Sequence, residues 1–159
     1  MEAIVAVYAD WGIGDGGTQP VVLKADRAHF KEKTEGHAVL VGRKTLEDFP
    51  GKKPLPNRDN LVLTSRDVEI PGARVVHSAE EALAAAKDYD RCFVIGGASV
   101  YKQLFPYIDR VFVTRIDLKP HSDSFFPDLD KEPGWVCMSQ RAVEEENGVR
   151  YQFCTYERI

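Results

Sequence analysis

The chain has 159 residues, 43% hydrophobic and 29% charged, with a formal net charge of −4. That length suits one domain with a real core, and the composition excludes a disordered or fibrous chain. Acids and bases are interspersed, so neither the basic block of a nucleic-acid groove nor an acidic tail is present. The N-terminal "MEAIVAVYAD" lacks a basic start and is too short in its apolar run for a signal peptide or membrane span.

The first predicted element is a strand at 3–8, "AIVAVY", followed by the glycine-rich "GIGDGG" at 12–17. A helix is expected over 25–34, "ADRAHFKEKT", then a strand at 38–42, "AVLVG", and a short helix at 44–49, "KTLEDF". Strands at 60–65 and 73–77 precede a helix over 78–89, which opens with Ser78 and Glu81 at capping-box spacing. A strand at 91–97 runs into a helix at 98–107 that Pro106 stops, and another strand spans 109–117. Two β runs close the chain, 135–146 and 149–159, joined by Asn147–Gly148, a hairpin signal. Several strands are continuously apolar, as in a sheet covered on both faces. The expected fold class is α/β: a single domain over 1–159, with a mostly parallel central sheet of about eight strands, about four flanking helices and a C-terminal antiparallel hairpin. Cys92, Cys137 and Cys154 are odd in number and far apart, with no CxxC pair or Cys/His cluster. Buried thiols in a reduced, cytoplasmic setting are expected, with no metal site.

Two motifs fail in context. "GIGDGG" fits G-x-G-x-x-G, but "TQPVVLK" follows where a dinucleotide fingerprint needs a helix, so a lid-type glycine loop is expected. "VGRKT" at 41–45 lacks the first glycine of a P-loop and has Arg43 inside the core motif. It remains a strand-to-helix turn with two cations, suited either to phosphate or to solvent. "VIGGASVY" at 94–101 ends a strand in two glycines and begins a helix at once, a turn that admits a close backbone approach or simply a tight corner. No nucleophile or metal pattern appears, which favours chemistry carried by a cofactor. Asp26 lies four residues before Phe30, so both share one helix face. Such an acid either caps the first turn or serves a site.

Taken in order, "WGIG", the loop ending in Pro20, "ADRAHF", "VGRKTLEDFP", "PLPNRDNLVLTS", "VIGGASVY", "VTRID" and "DSFFPD" resemble the dihydrofolate reductase family over nearly the whole chain. The resemblance implies an NADPH-dependent oxidoreductase that reduces 7,8-dihydrofolate to 5,6,7,8-tetrahydrofolate for one-carbon metabolism. It implies Asp26 as the catalytic acid facing the pterin, supported by Thr114. Ile4, Val5, Phe30, Phe49, Leu55 and Ile95 are expected to wall the pterin and aminobenzoyl rings, with Arg58, and Lys31 nearby, at the glutamate tail. For NADPH, Ala6, Ile13 and Gly14 are expected at the nicotinamide, and Arg43, Lys44 and Thr45 at the phosphates. Ser65 and Arg66 are expected around the 2′-phosphate, His77 near the adenine, and Gly96, Gly97, Ala98, Ser99, Val100 and Tyr101 at the pyrophosphate, with a cis peptide between the two glycines. Gly42, Leu63 and Thr64, and the loop residues Asp15, Gly16, Gly17, Thr18 and Gln19, complete the expected cofactor set. Asp123 resembles a residue that steadies this loop.

Val21, Gln19 and Leu46 depart from the residues frequent in the family, and a pocket or water beside Asp26 is expected next to Val21. Antifolate binding, a monomer, and no nucleic-acid or membrane partner are also implied. The alternatives are a related pterin or riboflavin-pathway reductase on the same fold, or a nucleotide-binding module without catalysis.

Overall fold

The computed structural model describes residues 1–14 and 19–159. Among them, in chain order, run β1 (Glu2–Val7), β2 (Gly12–Gly14), α1 (Lys24–Thr34), β3 (Ala38–Gly42), α2 (Arg43–Glu47), β4 (Asp59–Leu63), β5 (Ala73–Val76) and α3 (Ala79–Ala86). There follow β6 (Cys92–Gly96), α4 (Ala98–Leu104), β7 (Arg110–Ile116), β8 (Ser124–Phe125), β9 (Trp135–Gln140), β10 (Glu144–Glu146) and β11 (Val149–Arg158). The main sheet has the order β10-β11-β7-β1-β6-β3-β4-β5, with β9 also on β11. Pairings from β7 through β5 are parallel, and those of β11 are antiparallel. β9 and β10 both pair with β11, so they share one edge position.

The expected run at 135–146 is therefore broken. Between the pairs Gln140↔Cys154 and Glu144↔Tyr151 the edge strand uses one residue more than β11. That extra residue bends the edge, as a bulge does. The two short strands β2 and β8 pair with each other and had no sequence signal. Elements this short are made by a distant partner rather than by local propensity.

Strand alternation splits the core between the two faces. Ala3, Val5 and Val7 of β1 face the main cluster with Ala82, Val100, Tyr101 and Leu104 of α3 and α4. Ile4 faces the other way, with Phe93, Phe112 and Phe30 of α1, while Ala6 and Tyr8 meet Leu23 and Phe153 on that same side. Both faces are covered, which accounts for β3 being buried at every residue. α3 starts where its capping pair predicts: Ser78 Oγ accepts from Glu81 N at 3.0 Å, and His77 N donates to Glu81 at 2.9 Å. Cys92 and Cys154 are buried, but Cys137 is exposed, because it lies on the outer edge strand.

His29 was not singled out by the sequence, yet it is 7% exposed and stacks on Phe153 at 4.1 Å between ring centroids. Burial, and then the charges of Lys33 and Arg141, push it down to about 4 from 6.5. It is therefore folded in the neutral form. Its contribution to stability is full above the unfolded value of 6.5 and is lost as pH falls from there towards about 4. His29→Phe is expected to flatten the decline of melting temperature across this window, and parallel declines in the two proteins would refute the assignment.

Candidate active site

Winding direction places the site. From β1 the chain moves outward to β3, β4 and β5, then returns to β6 and crosses to β7 on the far side of β1. Ligands of open α/β sheets bind at the carboxyl ends of strands where the winding reverses, here between β1 and β6. These strands pair only through Glu2↔Phe93 and Ala3↔Val94 and part beyond that point. The Ile4 carbonyl freed by this separation accepts from the Tyr101 hydroxyl at 2.7 Å.

Asp26 lies on this side of the sheet, in the first turn of α1, half-buried. Thr114 Oγ1, on β7 opposite Ala6, donates to Asp26 Oδ1 at 2.6 Å. Burial raises the affinity of the Asp26 carboxyl for its proton, the Thr114 bond opposes this, and the charge of Glu146 adds to the rise. Phe30, one turn on, packs with Ile4, Phe93, Phe112 and Ile95. Ile95 also packs against the cluster of Val41, Leu46 and Val62, as Phe49 does, so Ile4, Phe30, Phe49 and Ile95 belong to linked apolar clusters. Val5 does not belong to them. As the neighbour of Ile4 along an extended strand, its side chain enters the opposite core layer.

At the other end of α1, Thr34 Oγ1 bonds to Phe30 O at 2.8 Å and accepts from Arg58 Nε at 2.9 Å. Arg58 also donates to Pro56 O at 2.8 Å and lies 5.6 Å over the Phe30 ring, with no ion pair among the described residues. Asn60, buried and missed by sequence reasoning, fixes this loop: it bonds Leu55 N and O at 3.0 and 2.9 Å and Arg58 O at 3.1 Å. Lys31 instead turns outward to Glu35 at 3.9 Å.

On the other side of the cleft, α2 and α4 begin after Gly42 and Gly97 on neighbouring strands, and neither start has a side-chain cap. The Gly96–Gly97 peptide is cis. A Cβ on Gly97 would come within 2.8 Å of Thr45 Oγ1, so only a bare backbone fits there. Arg43 pairs with Glu47 on its own helix, whereas Lys44 is exposed. The exposed Ser65 and Arg66 sit on a turn in which Arg66 N bonds Thr64 Oγ1 at 3.1 Å and His77 Nδ1 meets Thr64 O at 2.8 Å. Leu63, Val100 and Tyr101 are buried in the main core, so of these three only the backbone can meet a ligand from this side. Ala98 and Ser99 stand at the open start of α4.

The first glycine of "GIGDGG" answers to packing rather than phosphate: a Cβ on Gly12 would meet Ser122 Oγ at 2.3 Å. Ile13 packs on the core, and Gly14 O accepts from Asp123 N at 2.9 Å, which ties the 122–125 segment to the glycine stretch. Asp15, Gly16, Gly17 and Thr18 lie outside the described residues. Beside Val21, the buried Tyr8 accepts from Val21 N through its hydroxyl at 3.1 Å, and Gln19 Nε2 reaches Ala6 O at 3.5 Å. Leu46 is buried against Val41 and Val62. Two cavities, of about 530 and 310 Å³, lie away from Val21 and Asp26. Val21 packs against the cluster that contains the Tyr8 ring.

Among the described residues no group of three His, Cys, Asp or Glu side chains could hold a metal, and no helix is long and apolar enough to cross a membrane.

Comparison with known proteins agrees with this geometry. The family model described as dihydrofolate reductase matches residues 1–158. The dihydrofolate reductase of Bacillus subtilis is 41% identical over 158 residues, covering 98% of this chain and 92% of the relative. Dihydrofolate reductase HdrB of Haloferax volcanii is 36% identical over 164 residues, with 98% and 81% covered. The solved dihydrofolate reductase from Enterococcus faecalis, complexed with NADP(H) and RAB-propyl, superimposes with a TM-score of 0.86 at 38% identity, covering 99% of this chain and 95% of that one. A family match along the whole chain, relatives at this identity and the same fold together establish that the chain belongs to the dihydrofolate reductase family.

Proposed function

We propose that the protein catalyses reduction of 7,8-dihydrofolate to 5,6,7,8-tetrahydrofolate with NADPH. One observation carries the reading: a single helix sets the spacing of an acid and a cation. Asp26 lies in the first turn of α1, and Thr34, which anchors Arg58, ends the helix about 12 Å further along the axis. An elongated substrate with a donor fork at one end and a carboxylate at the other suits that spacing. The Asp26 carboxylate accepts from the pterin 2-amino group and N3–H, a side-by-side pair matching its two oxygens. Thr114 holds the carboxylate in register. The wall of Ile4, Phe30, Phe49 and Ile95 excludes water from the rings. Leu55 lines the way to Arg58, whose planar fork suits the glutamate α-carboxylate. Lys31, turned to Glu35, adds only general positive charge there. Asp26 polarises the ring, and water carries the proton to N5. The same carboxylate pairs with diaminopyrimidine antifolates.

The residues on the other side of the cleft fit the cofactor. Gly42 and Gly97 leave two uncapped helix starts open side by side, and their N–H groups, with Lys44 and Thr45, suit a diphosphate. The exposed Ser65 and Arg66 suit the 2′-phosphate, and His77 the adenine side. Ala6, Ile13, Gly14 and Gln19 lie towards the nicotinamide. NADPH supplies the hydride for C6 of the pterin. A monomer acting in the cytoplasm belongs to the same proposal, and the three free thiols fit a reducing compartment.

Mixing protein, NADPH and dihydrofolate is expected to lower the nicotinamide absorbance, with NADH a much poorer donor. Arg66→Ala should narrow that preference about tenfold, the value of one charge-assisted contact. No absorbance change would refute the reading, and equal use of both donors by the wild type would refute the role of Arg66.

A further inference from the structure

The helix that carries Asp26 has no cap of its own. Its N-cap position is Leu23, which offers no side-chain acceptor. The first N–H groups of α1 are satisfied from the far end of the chain: Lys24 N donates to Glu146 Oε2 at 2.7 Å, and Ala25 N to Glu146 Oε1 at 3.0 Å. Glu146 is the last residue of β10, paired with Val149 across the Asn147–Gly148 turn, whose φ values of 50° and 80° make a tight hairpin. The hairpin also packs on the start of the helix, since Val149 and Tyr151 share a cluster with Leu23 and Ala25. A carboxylate that takes two backbone donors at once is held at both oxygens and fixes the turn it caps.

We propose that Glu146 is a positioning residue for the reaction: reaching from the C-terminal hairpin, it supplies the cap α1 lacks and thereby holds the Asp26 carboxyl against Thr114. This rests on the reading of Asp26 as the acid of the reductase site. The groups facing Asp26 are few. Thr114 donates from β7, Tyr101 on α4 keeps its hydroxyl on Ile4 O, and Glu146 brings a negative charge from β10. No described cation forms an ion pair with Asp26. Glu146 also offsets the positive end of the α1 dipole, which would otherwise favour ionised Asp26. Position and charge therefore act together: the cap sets where the carboxyl lies and raises the pH at which it ionises.

The test follows the Asp26 carboxyl by carbon NMR in the ligand-free protein, with Asp26→Asn for assignment, alongside the pH profile of single-turnover hydride transfer. In Glu146→Gln, which keeps one acceptor oxygen and loses the charge, the Asp26 midpoint is expected to move to lower pH, and the fall in rate with rising pH should move with it. Glu146→Ala should in addition slow hydride transfer at neutral pH about three- to tenfold by misplacing the turn. Its melting temperature should fall by about 2–4 °C. Glu146→Asp, with the charge but a shorter reach, should restore the midpoint more fully than the rate. An Asp26 midpoint unchanged in both Gln and Ala variants would overturn the proposal, even if melting temperature falls, because a purely structural cap moves only the latter. Should the Ala variant not fold, the Gln variant decides. Should the wild type fail to oxidise NADPH with dihydrofolate, the reductase reading falls, while the titration still decides whether Glu146 governs Asp26.

Discussion

Asp26→Asn is expected to lower turnover near neutral pH by on the order of a hundredfold, with NADPH binding nearly unchanged. The asparagine Oδ1 can still accept from Thr114, so the 2.6 Å bond and the start of α1 survive the change. In the proposed reaction, what is lost is the acid itself: the carboxylate charge that pairs with the pterin fork and polarises the ring. The same variant should be more stable than the wild type at neutral pH. Burial raises the folded-state value of Asp26 above its ordinary 3.8, so protonated Asp26 is the form the fold prefers. Stability from such a group is full below the unfolded value and is lost as pH rises through the folded one. The melting temperature of Asp26→Asn should therefore exceed that of the wild type at neutral pH, with the gap closing in acid. A variant within about threefold of wild-type turnover across neutral pH would remove Asp26 from the mechanism. An unchanged stability difference from acid to neutral pH would remove the buried-acid account.

Arg58→Leu is expected to raise KM for dihydrofolate by about thirtyfold or more while lowering kcat less than tenfold. The reason is a guanidinium already fixed before substrate arrives, by Thr34, Pro56 O and the Phe30 face, and left without an ion pair among the described residues. A preset fork loses little freedom on binding a carboxylate, and each hydrogen bond to a charged group is worth about 1.5–3 kcal/mol. A substrate whose α-carboxylate is converted to an amide supplies the control. The wild type should bind it weakly, and Arg58→Leu should discriminate little between acid and amide. If the variant and the amide weaken binding additively, Arg58 meets some other group.

Some of the site was readable because its signals are local. The place of Asp26 and Phe30 on one helix face follows from helical spacing. The turns after β3 and β6 announce themselves by glycine at a strand end. The alternation that separates Ile4 from Val5 was also present in the sequence as a rule, yet an all-apolar strand does not say which face holds the ligand. Only the packing of α1 on the Ile4 side decides it. Arg43 is similar: its position was legible, but its pairing with Glu47 depends on a side-chain choice made in the folded surface. Tyr8 had no local signal for the role it takes beside Val21, because its partner backbone comes from the other side of the glycine loop.

The sequence by itself determined most of the longer elements, the mostly parallel α/β class, the capping of α3 and the family, since periodicity, caps and ordered motifs are short-range properties of the chain. The tertiary structure alone decided which carboxylate caps α1, how Asn60 fixes the Arg58 loop, where β9 breaks from β10, and which neighbours act on the proton affinity of Asp26. Burial and charge at one atom are sums over neighbours that the chain brings together from more than a hundred residues apart. No local pattern in a strand or helix encodes such a sum.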